Sequence, residues 1–170
     1  MQKETLVINL FGGPGVGKST TAAWLFSQLK MDGVDCEYVS EFAKDKVWEK
    51  NDEVFKCQFY ITGKQIFKIN RCISKVDVVI TDSPILLGIF YDTDNGPDFK
   101  KAVLYQFQKY KNLNFFLERK YAYQENGRNQ TEDEAKEVDR IIKLGLEEAN
   151  INYISAPDKE FILEEIKRRI

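Results

Sequence analysis

The sequence predicts an α/β fold, a three-layer α/β/α sandwich built around a five-stranded parallel sheet. Apolar runs of strand length recur along the 170 residues, and segments with a helical spacing of apolar residues lie between them. Several strand runs are apolar without clean alternation, which is typical of parallel strands covered by helices on both faces. A chain of this length with alternating strands and helices is expected to form one domain, residues 1–170.

Five apolar runs predict the strands in chain order. They are "TLVINLF" (5–11), "CEYVS" (36–40), "VDVVITD" (76–82), "LNFFLE" (113–118) and "INYISA" (151–156). Helical patterns predict helices between and after the strands, at 19–30, 53–75, 98–110, 131–149 and 158–169. Two segments, 83–98 and 119–130, show neither pattern and are expected to be irregular.

The helix predicted at 53–75 has the clearest buried face. Its apolar and small residues recur at spacings of four and three, so they would form one stripe along the helix. The stripe consists of Phe55, Phe59, Thr62, Ile66, Ile69 and Ile73. The helix at 131–149 begins with "TEDE", in which Thr131 would cap the helix and Glu134 would reach back to form a capping box.

The overall charge of the chain limits its expected partners. The formal net charge is −2 and the isoelectric point is about 5.4. The chain as a whole therefore offers no electrostatic reason to bind nucleic acid or an anionic membrane, although a local basic patch is left open. There is no histidine, so acid–base chemistry would use carboxylates, Lys, Tyr or water.

The cysteines and the apolar segments predict the compartment. Cys36, Cys57 and Cys72 are odd in number and lie at no metal-ligand spacing, and we interpret them as buried small apolar residues in a reducing compartment. No apolar run has the length of a signal peptide or of a membrane span. We therefore expect a cytoplasmic protein without a membrane partner.

The stretch "FGGPGVGKST" (11–20) contains a complete phosphate-binding loop pattern, Gly12-x-x-x-x-Gly17-Lys18-Ser19. It follows a predicted strand and precedes a predicted helix, as such a loop requires. Lys18 would reach the β- and γ-phosphates, and the Ser19 hydroxyl would coordinate Mg²⁺. The alternative is a purely structural turn capped by Ser19. We predict ATP and Mg²⁺ as cofactors, contacted by Gly12, Gly13, Pro14, Gly15, Val16, Gly17, Lys18, Ser19 and Thr20.

Two carboxylates follow predicted strands at the edge of the sheet where such folds bind ligands. Asp82 ends the run "VVITD", and we assign it to Mg²⁺, directly or through water; a helix-capping or turn-forming role before Pro84 is the alternative. Glu41 lies just past the second strand and could take the proton of an acceptor hydroxyl. The alternative for Glu41 is a residue that favours the first turn of a helix.

The segment 119–130 has the length and charge of a lid that closes over a triphosphate and excludes water. Arg128 is the first candidate for a cation that stabilises the transition state, and Arg119 is the second; a solvated loop is the alternative reading. After the last strand, Ala156 and Pro157 would pack against a purine ring or form a plain strand-to-helix turn.

A row of side chains on the helix predicted at 53–75 is the candidate acceptor site. Tyr60, Lys64, Phe67 and Arg71 recur at spacings of four, three and four, on a different side from the buried stripe, and Gln65 lies next to them. Aromatic, amide and cationic groups together suit a planar base and its phosphate. A second packing face with Lys and Arg reaching to water is the alternative.

These pieces together resemble the P-loop nucleoside and nucleotide kinases. The segments "GGPGVGKST", "SEFAKD", "VVITDSP" and "ENGRNQTEDEAKEVD" occur in the order in which that superfamily places them. Within it, the chain is most similar to nicotinamide riboside kinase domains and to small P-loop kinases and ATPases of bacteriophages. The resemblance implies an acceptor-side role for Glu41, a metal-side role for Asp82 and a lid role for Arg128.

The residues and the resemblance predict a kinase that transfers the γ-phosphate of ATP to a hydroxyl of a nucleoside- or nucleotide-like acceptor. One form of this hypothesis has 5-hydroxymethyluracil within phage DNA as the acceptor. A second hypothesis is a P-loop ATPase that acts as a switch or as a partner-binding module. The identity of the acceptor and the oligomeric state are left open by the sequence.

Overall fold

The computed structural model describes residues 3–50, 52–92, 95–119 and 131–170. A five-stranded sheet lies at its centre, and its strands pair in parallel. The strands are β1 (Leu6–Phe11), β2 (Cys36–Val39), β3 (Val78–Thr81), β4 (Lys111–Leu117) and β5 (Ile154–Ala156). Each strand overlaps its predicted run, so the predicted parallel sheet is confirmed.

The order of the strands brings their following loops together. The order is β2-β3-β1-β4-β5, which places β1 in the middle of the sheet. Ile8 of β1 is in register with Ile80 of β3 and with Leu113 of β4. Because the carboxyl ends of parallel strands meet at one edge, the loops after β1, β2 and β3 are neighbours there.

Helices connect the strands and cover both faces of the sheet. The α-helices are α1 (Lys18–Met31), α2 (Phe42–Trp48), α3 (Gln58–Asn70), α4 (Leu87–Phe90), α5 (Gly96–Gln108), α6 (Glu132–Glu148) and α7 (Lys159–Lys167). The capping box at the start of α6 is confirmed, because Thr131 accepts from the Glu134 N–H while the Glu134 carboxylate accepts from the Thr131 N–H. The sequence did not predict the short helices α2 and α4.

Two hydrophobic layers hold the sheet between its helices. On one face, α1 and α7 pack on the sheet through Leu25, Leu29, Ile162 and Ile166. On the other face, α3, α4, α5 and α6 contribute a second cluster, which contains Ile69, Leu86, Val103, Phe107, Ile142 and Leu146. The predicted three-layer sandwich is therefore confirmed, and its sheet is apolar on both faces.

The helix predicted at 53–75 is shorter than expected, and its predicted buried stripe is confirmed only in part, because Thr62 and Ile69 are buried whereas Phe55 and Phe59 are not. The chain forms a 3-10 helix at Asp52–Lys56, leaves the helical conformation at Cys57 with a φ of −123° and a ψ of 80°, and only then begins α3. Phe55 lies before the break and Phe59 lies in the first turn of α3, and both side chains are exposed. The buried side chains of α3 are Thr62, Gln65 and Ile69.

Cys57 also corrects the prediction that all three cysteines are buried. Cys36 and Cys72 are buried, whereas Cys57 is exposed at the break before α3.

Within the part of the chain that the structure describes, none of the helices combines the length and the hydrophobicity that a membrane span requires.

The short helix α4 packs closely against α3 and α6, and a glycine permits each contact. A Cβ atom on Gly88 of α4 would collide with the Thr62 side chain of α3. A Cβ atom on Gly145 of α6 would collide with the ring of Phe90. The two glycines therefore permit close packing that positions the segment directly after β3.

Candidate active site

One edge of the sheet brings together the residues that the sequence singled out on separate strands. The phosphate-binding loop follows β1, Glu41 follows β2, and Asp82 follows β3. Arg119 lies two residues after β4, and Ala156 ends β5. The site is therefore assembled from five separate parts of the sequence at the carboxyl ends of parallel strands, where open α/β sheets bind ligands.

The phosphate-binding loop leads directly into α1. Gly17 precedes the helix with a φ of 96°, a left-handed conformation that an L side chain rarely adopts. The Lys18 ammonium donates to the carbonyl oxygens of Gly12 and Gly13 at 2.6 and 2.9 Å. The amino group of Lys18 therefore folds back onto the loop that precedes it. Phosphate oxygens would replace these two carbonyls as its partners.

Three carboxylates surround Lys18 closely enough to influence its charge. Burial lowers the pKa of the Lys18 ammonium, while Glu41, Asp82 and Asp139 each act to raise it. Among the smaller influences, Arg119 acts to lower it. The loop therefore lies in a compact cluster of opposite charges rather than on an open basic surface.

Asp82 is buried and held in a fixed orientation. It is only 3% exposed. One carboxylate oxygen accepts from the Tyr38 hydroxyl at 2.7 Å, and the other accepts from the Glu41 backbone N–H at 2.9 Å. Each carboxylate oxygen retains a second lone pair, which can bind a metal-bound water. Burial and the hydrogen bond to Asp82 in turn raise the pKa of the Tyr38 hydroxyl.

Glu41 is the carboxylate best suited to accept a proton. Burial raises the pKa of its carboxyl group, and the nearby Asp82 raises it further, while Lys18 acts in the opposite direction. The backbone N–H of Glu41 is fixed on Asp82, so its side chain begins from a defined position. A carboxylate with a raised pKa is a stronger base, as general-base catalysis requires.

Arg119 and Asp139 form an ion pair that supports the phosphate-binding loop. The Arg119 guanidinium donates to one Asp139 oxygen from Nε at 3.0 Å and from a terminal nitrogen at 2.8 Å. The other Asp139 oxygen accepts from the Gly13 N–H. Arg119 also donates to the carbonyl of Pro14 at 3.0 Å. The side chains are only 12% and 17% exposed, so the pair links α6 to the loop in a largely buried setting.

The backbone at Gly13 packs closely against α6. A Cβ atom at this position would lie 2.8 Å from both the Ala135 carbonyl oxygen and an Asp139 carboxylate oxygen. Only glycine leaves room for the backbone of the loop to approach α6 at this distance. Gly13 therefore serves the attachment of the loop to α6.

Asp139 was not among the residues predicted from the sequence, although a signal was present. Ala135, Ile142 and Leu146 form the buried face of α6. Asp139 is four residues after Ala135 and three before Ile142, so it lies on that same face. A carboxylate on the buried face of a helix indicates a paired or functional group.

Two tyrosines near the site were also missed. Tyr38 reaches Asp82 from β2, and the long-range pairing of β2 with β3 that brings them together could not be read from local patterns. Tyr91 follows α4, and burial together with Glu41 and Asp139 raises its pKa to about 12. Tyr91 lies near enough to Glu41 for the charge of that carboxylate to act on its hydroxyl.

The predicted acceptor row divides into exposed and buried members. Tyr60, Lys64 and Arg71 are exposed, as the sequence predicted. Gln65 is only 3% exposed, which corrects its placement beside the exposed row. Its amide oxygen accepts from the Phe42 N–H at 3.1 Å, and its amide nitrogen donates to Thr81 at 3.2 Å. Gln65 thus holds the segment around Glu41 in place from inside the fold.

The remaining predicted residues lie at the edges of the site or outside the described residues. Ala156 is buried at the end of β5, where its carbonyl accepts from the Glu118 N–H, and Pro157 is exposed. Arg128 and the rest of 120–130 lie outside the described residues, so the lid stays a prediction.

The donor set fits Mg²⁺ bound together with a nucleotide rather than by protein alone. Among the residues that the structure describes, no three Cys, Asp or Glu side chains are grouped so as to hold a metal ion. Mg²⁺ usually retains waters and takes one or two protein ligands plus phosphate oxygens. The hydroxyl of Ser19 on the first turn of α1 and the oriented carboxylate of Asp82 are suitable groups for that arrangement.

A family model described as an AAA domain matches residues 7–162. No curated protein matches the chain. Among solved structures, the deoxyadenosine kinase of M. mycoides, determined with the products dCMP and a flexible dCDP, is 15% identical with a TM-score of 0.56; the match covers 96% of this chain and 97% of that one. The APS kinase of Mycobacterium tuberculosis is 12% identical with a TM-score of 0.47, over 83% and 99% of the two chains.

Proposed function

Since the chain belongs to the AAA domain family and has a P-loop nucleotide kinase-like fold, we propose that it is an ATP- and Mg²⁺-dependent kinase. It would transfer the γ-phosphate of ATP to a hydroxyl of a nucleoside- or nucleotide-like acceptor. The observation that carries this proposal is the position of Glu41. It follows β2 at the carboxyl edge of the sheet, and its backbone N–H donates to Asp82 at 2.9 Å. Burial also raises the pKa of its carboxyl group.

The proposed reaction assigns a separate task to each residue. Glu41 accepts the proton of the acceptor hydroxyl while the hydroxyl oxygen bonds to the γ-phosphorus and the bond to the β–γ bridging oxygen breaks. Lys18 exchanges its two loop carbonyls for phosphate oxygens and neutralises the charge that develops on them. Mg²⁺, held through Ser19 and Asp82, would supply further neutralisation of the phosphates.

The supporting residues maintain this arrangement. Tyr38 fixes the carboxylate of Asp82, and Gln65 fixes the backbone after Glu41. The Arg119–Asp139 pair fixes the first half of the phosphate-binding loop. Positioning of this kind matters in phosphoryl transfer, because catalysis there consists mostly of orientation and electrostatic stabilisation.

Turnover of ATP with and without acceptors tests the proposal. A kinase releases ADP slowly by itself and accelerates when its acceptor is present, because water is a poor substitute for a positioned hydroxyl. The panel should include nucleosides, nucleotides and oligonucleotides. Rapid hydrolysis of ATP that no acceptor changes would instead identify a P-loop ATPase.

A further inference from the structure

The outward face of α3 carries aromatic and cationic side chains that the core does not use. Tyr60, Lys64, Phe67 and Arg71 recur at spacings that place them on one face of a helix. Phe67 is 65% exposed and Tyr60 is 44% exposed. We refer to these four residues as the α3 row. Single exposed aromatic residues are common, so the significance of the row depends on its charge and its position.

The charge of this region is opposite to that of the chain. From Lys56 to Lys75 there are five basic residues and no acidic one, although the formal net charge of the whole chain is −2. The helix α6, by contrast, contains seven acidic and three basic residues between Glu132 and Glu148. Positive charge is therefore concentrated around the α3 row, which makes this surface complementary to a polyanion.

The row begins beside the proposed acceptor carboxylate. The ring of Tyr60 packs edge-on against the ring of Phe42, the residue after Glu41, with centroids 5.7 Å apart. The Lys68 ammonium, next along the helix from Phe67, donates to the Ser40 hydroxyl at 3.1 Å. The helix therefore lies directly against the segment that contains Glu41.

The row is too long for one nucleotide. Arg71, at the C-terminal cap of α3, lies eleven positions after Tyr60, and at 1.5 Å per helical residue this corresponds to about 16 Å. Neighbouring phosphates along one strand of a duplex advance by only about 3.4 Å along the helix axis. A surface of this length can contact several successive nucleotides.

We propose that the α3 row binds single-stranded nucleic acid and presents a hydroxyl of the bound strand to Glu41. Lys64 and Arg71 would contact phosphates, and unstacked bases would lie on the rings of Tyr60 and Phe67. A single strand fits better than a duplex, because only unpaired bases expose faces to aromatic side chains. The acceptor role of the strand rests on the kinase function proposed above, whereas its binding does not.

The binding is measured by fluorescence anisotropy of a labelled oligothymidylate without ATP. With two phosphates contacted, the logarithm of the binding constant should fall with the logarithm of salt concentration with a slope of about −1.4, and Arg71→Ala should halve that slope. Phe67→Ala should weaken binding roughly 5- to 150-fold through loss of one stacked base. Thermal melting should be unchanged for both exposed variants.

Two control variants match the test residues. Tyr105 on α5 is exposed to the same 65% as Phe67, so Tyr105→Ala removes an equally accessible aromatic ring elsewhere. Arg140 on α6 is exposed like Arg71, so Arg140→Ala removes an equivalent charge. Both controls should retain the affinity and the salt slope of the unaltered protein.

Several results would overturn the proposal. They are a flat salt dependence, equal losses in the control variants, and equally tight binding of a polyglutamate peptide or of anionic lipid vesicles. Phosphorylation of free nucleosides without oligonucleotide binding would leave the kinase function intact and refute the binding role of the α3 row. Oligonucleotide binding without label transfer from ATP to the strand would support the binding role of the α3 row and refute the role of the strand as acceptor.

Discussion

Asp139→Asn tests whether the ion pair on α6 supports the phosphate-binding loop. In the protein, one Asp139 oxygen accepts from Gly13 and the other accepts two N–H groups of Arg119. If the asparagine oxygen keeps the contact with Gly13, its NH₂ group must face the donors of Arg119. The variant therefore loses a charge and places donor against donor with almost no change in volume.

The size of the effect follows from the burial of the pair. Breaking a fully buried ion pair costs about 3–5 kcal/mol, and a hydrogen bond to a charged group contributes about 1.5–3 kcal/mol. Because the side chains retain 12% and 17% exposure, we expect a loss of about 2–3 kcal/mol of unfolding free energy. In a chain of this size, that loss lowers Tm by about 4–12 °C.

Thermal unfolding and the KM for ATP are the measurements. Asp139→Asn should lower Tm and raise KM, because the loop becomes less well defined. The control is Glu137→Gln on the same helix, whose pair with Arg140 is exposed and should leave both quantities unchanged. Equal shifts in the two variants, or an unchanged KM in Asp139→Asn, would refute the assigned role of the pair.

Four further substitutions test other parts of the site and the fold. Glu41→Gln should lower kcat by about 10²–10⁴-fold, while the affinity for ATP measured by titration stays nearly unchanged. The base acts in its deprotonated form and its pKa is raised, so kcat of the unaltered protein should fall in acid at a higher pH than the pKa of an ordinary glutamate. The variant should lack this acid limb of the pH profile. Asp82→Asn should raise the Mg²⁺ concentration needed for half-maximal turnover; lost stability with unchanged Mg²⁺ dependence would assign Asp82 a purely structural role. Gly145→Ala should lower Tm because its Cβ meets the Phe90 ring, overpacking that costs about 1–3 kcal/mol. Gly63→Ala on α3, where no neighbouring atom lies within 4 Å, should instead raise Tm through a gain of about 0.5–1 kcal/mol.

The sheet and most of the helices could be predicted because their signals are local. A strand buried on both faces requires a continuous apolar run, and β1 and β3 have such runs. The capping box of α6 is likewise contained in four consecutive residues, Thr131 to Glu134. Such patterns depend little on the rest of the chain.

The limits of α3 and its buried residues depended on distant contacts. The apolar period of the sequence already includes Phe55, yet the helix begins only at Gln58. Phe59 instead packs beside Phe99 of α5, with ring centroids 5.1 Å apart. Gln65 is buried because its amide meets hydrogen-bonding groups from β3 and from the start of α2. Local spacing contains no information about these partners.

The chemistry of the site was predictable where a motif has fixed spacing. Gly12, Gly17 and Lys18 identify the phosphate-binding loop by spacing alone, and the positions of Glu41 and Asp82 follow from the ends of strands. The Arg119–Asp139 pair joins residues twenty positions apart, and Tyr38 reaches Asp82 across forty-four. Such contacts become visible only when the topology places the elements side by side.

Transfer of label from γ-labelled ATP is the most direct test of the proposed kinase. The unaltered protein should move the label onto a nucleoside, a nucleotide or an oligonucleotide, at a rate that depends on the concentration of that acceptor. Lys18→Ala should abolish the transfer in a protein that still folds, because the hydrogen bonds of Lys18 within the described residues go only to the loop carbonyls of Gly12 and Gly13. Label found only in inorganic phosphate, or transfer unaffected by Lys18→Ala in a folded protein, would contradict the account.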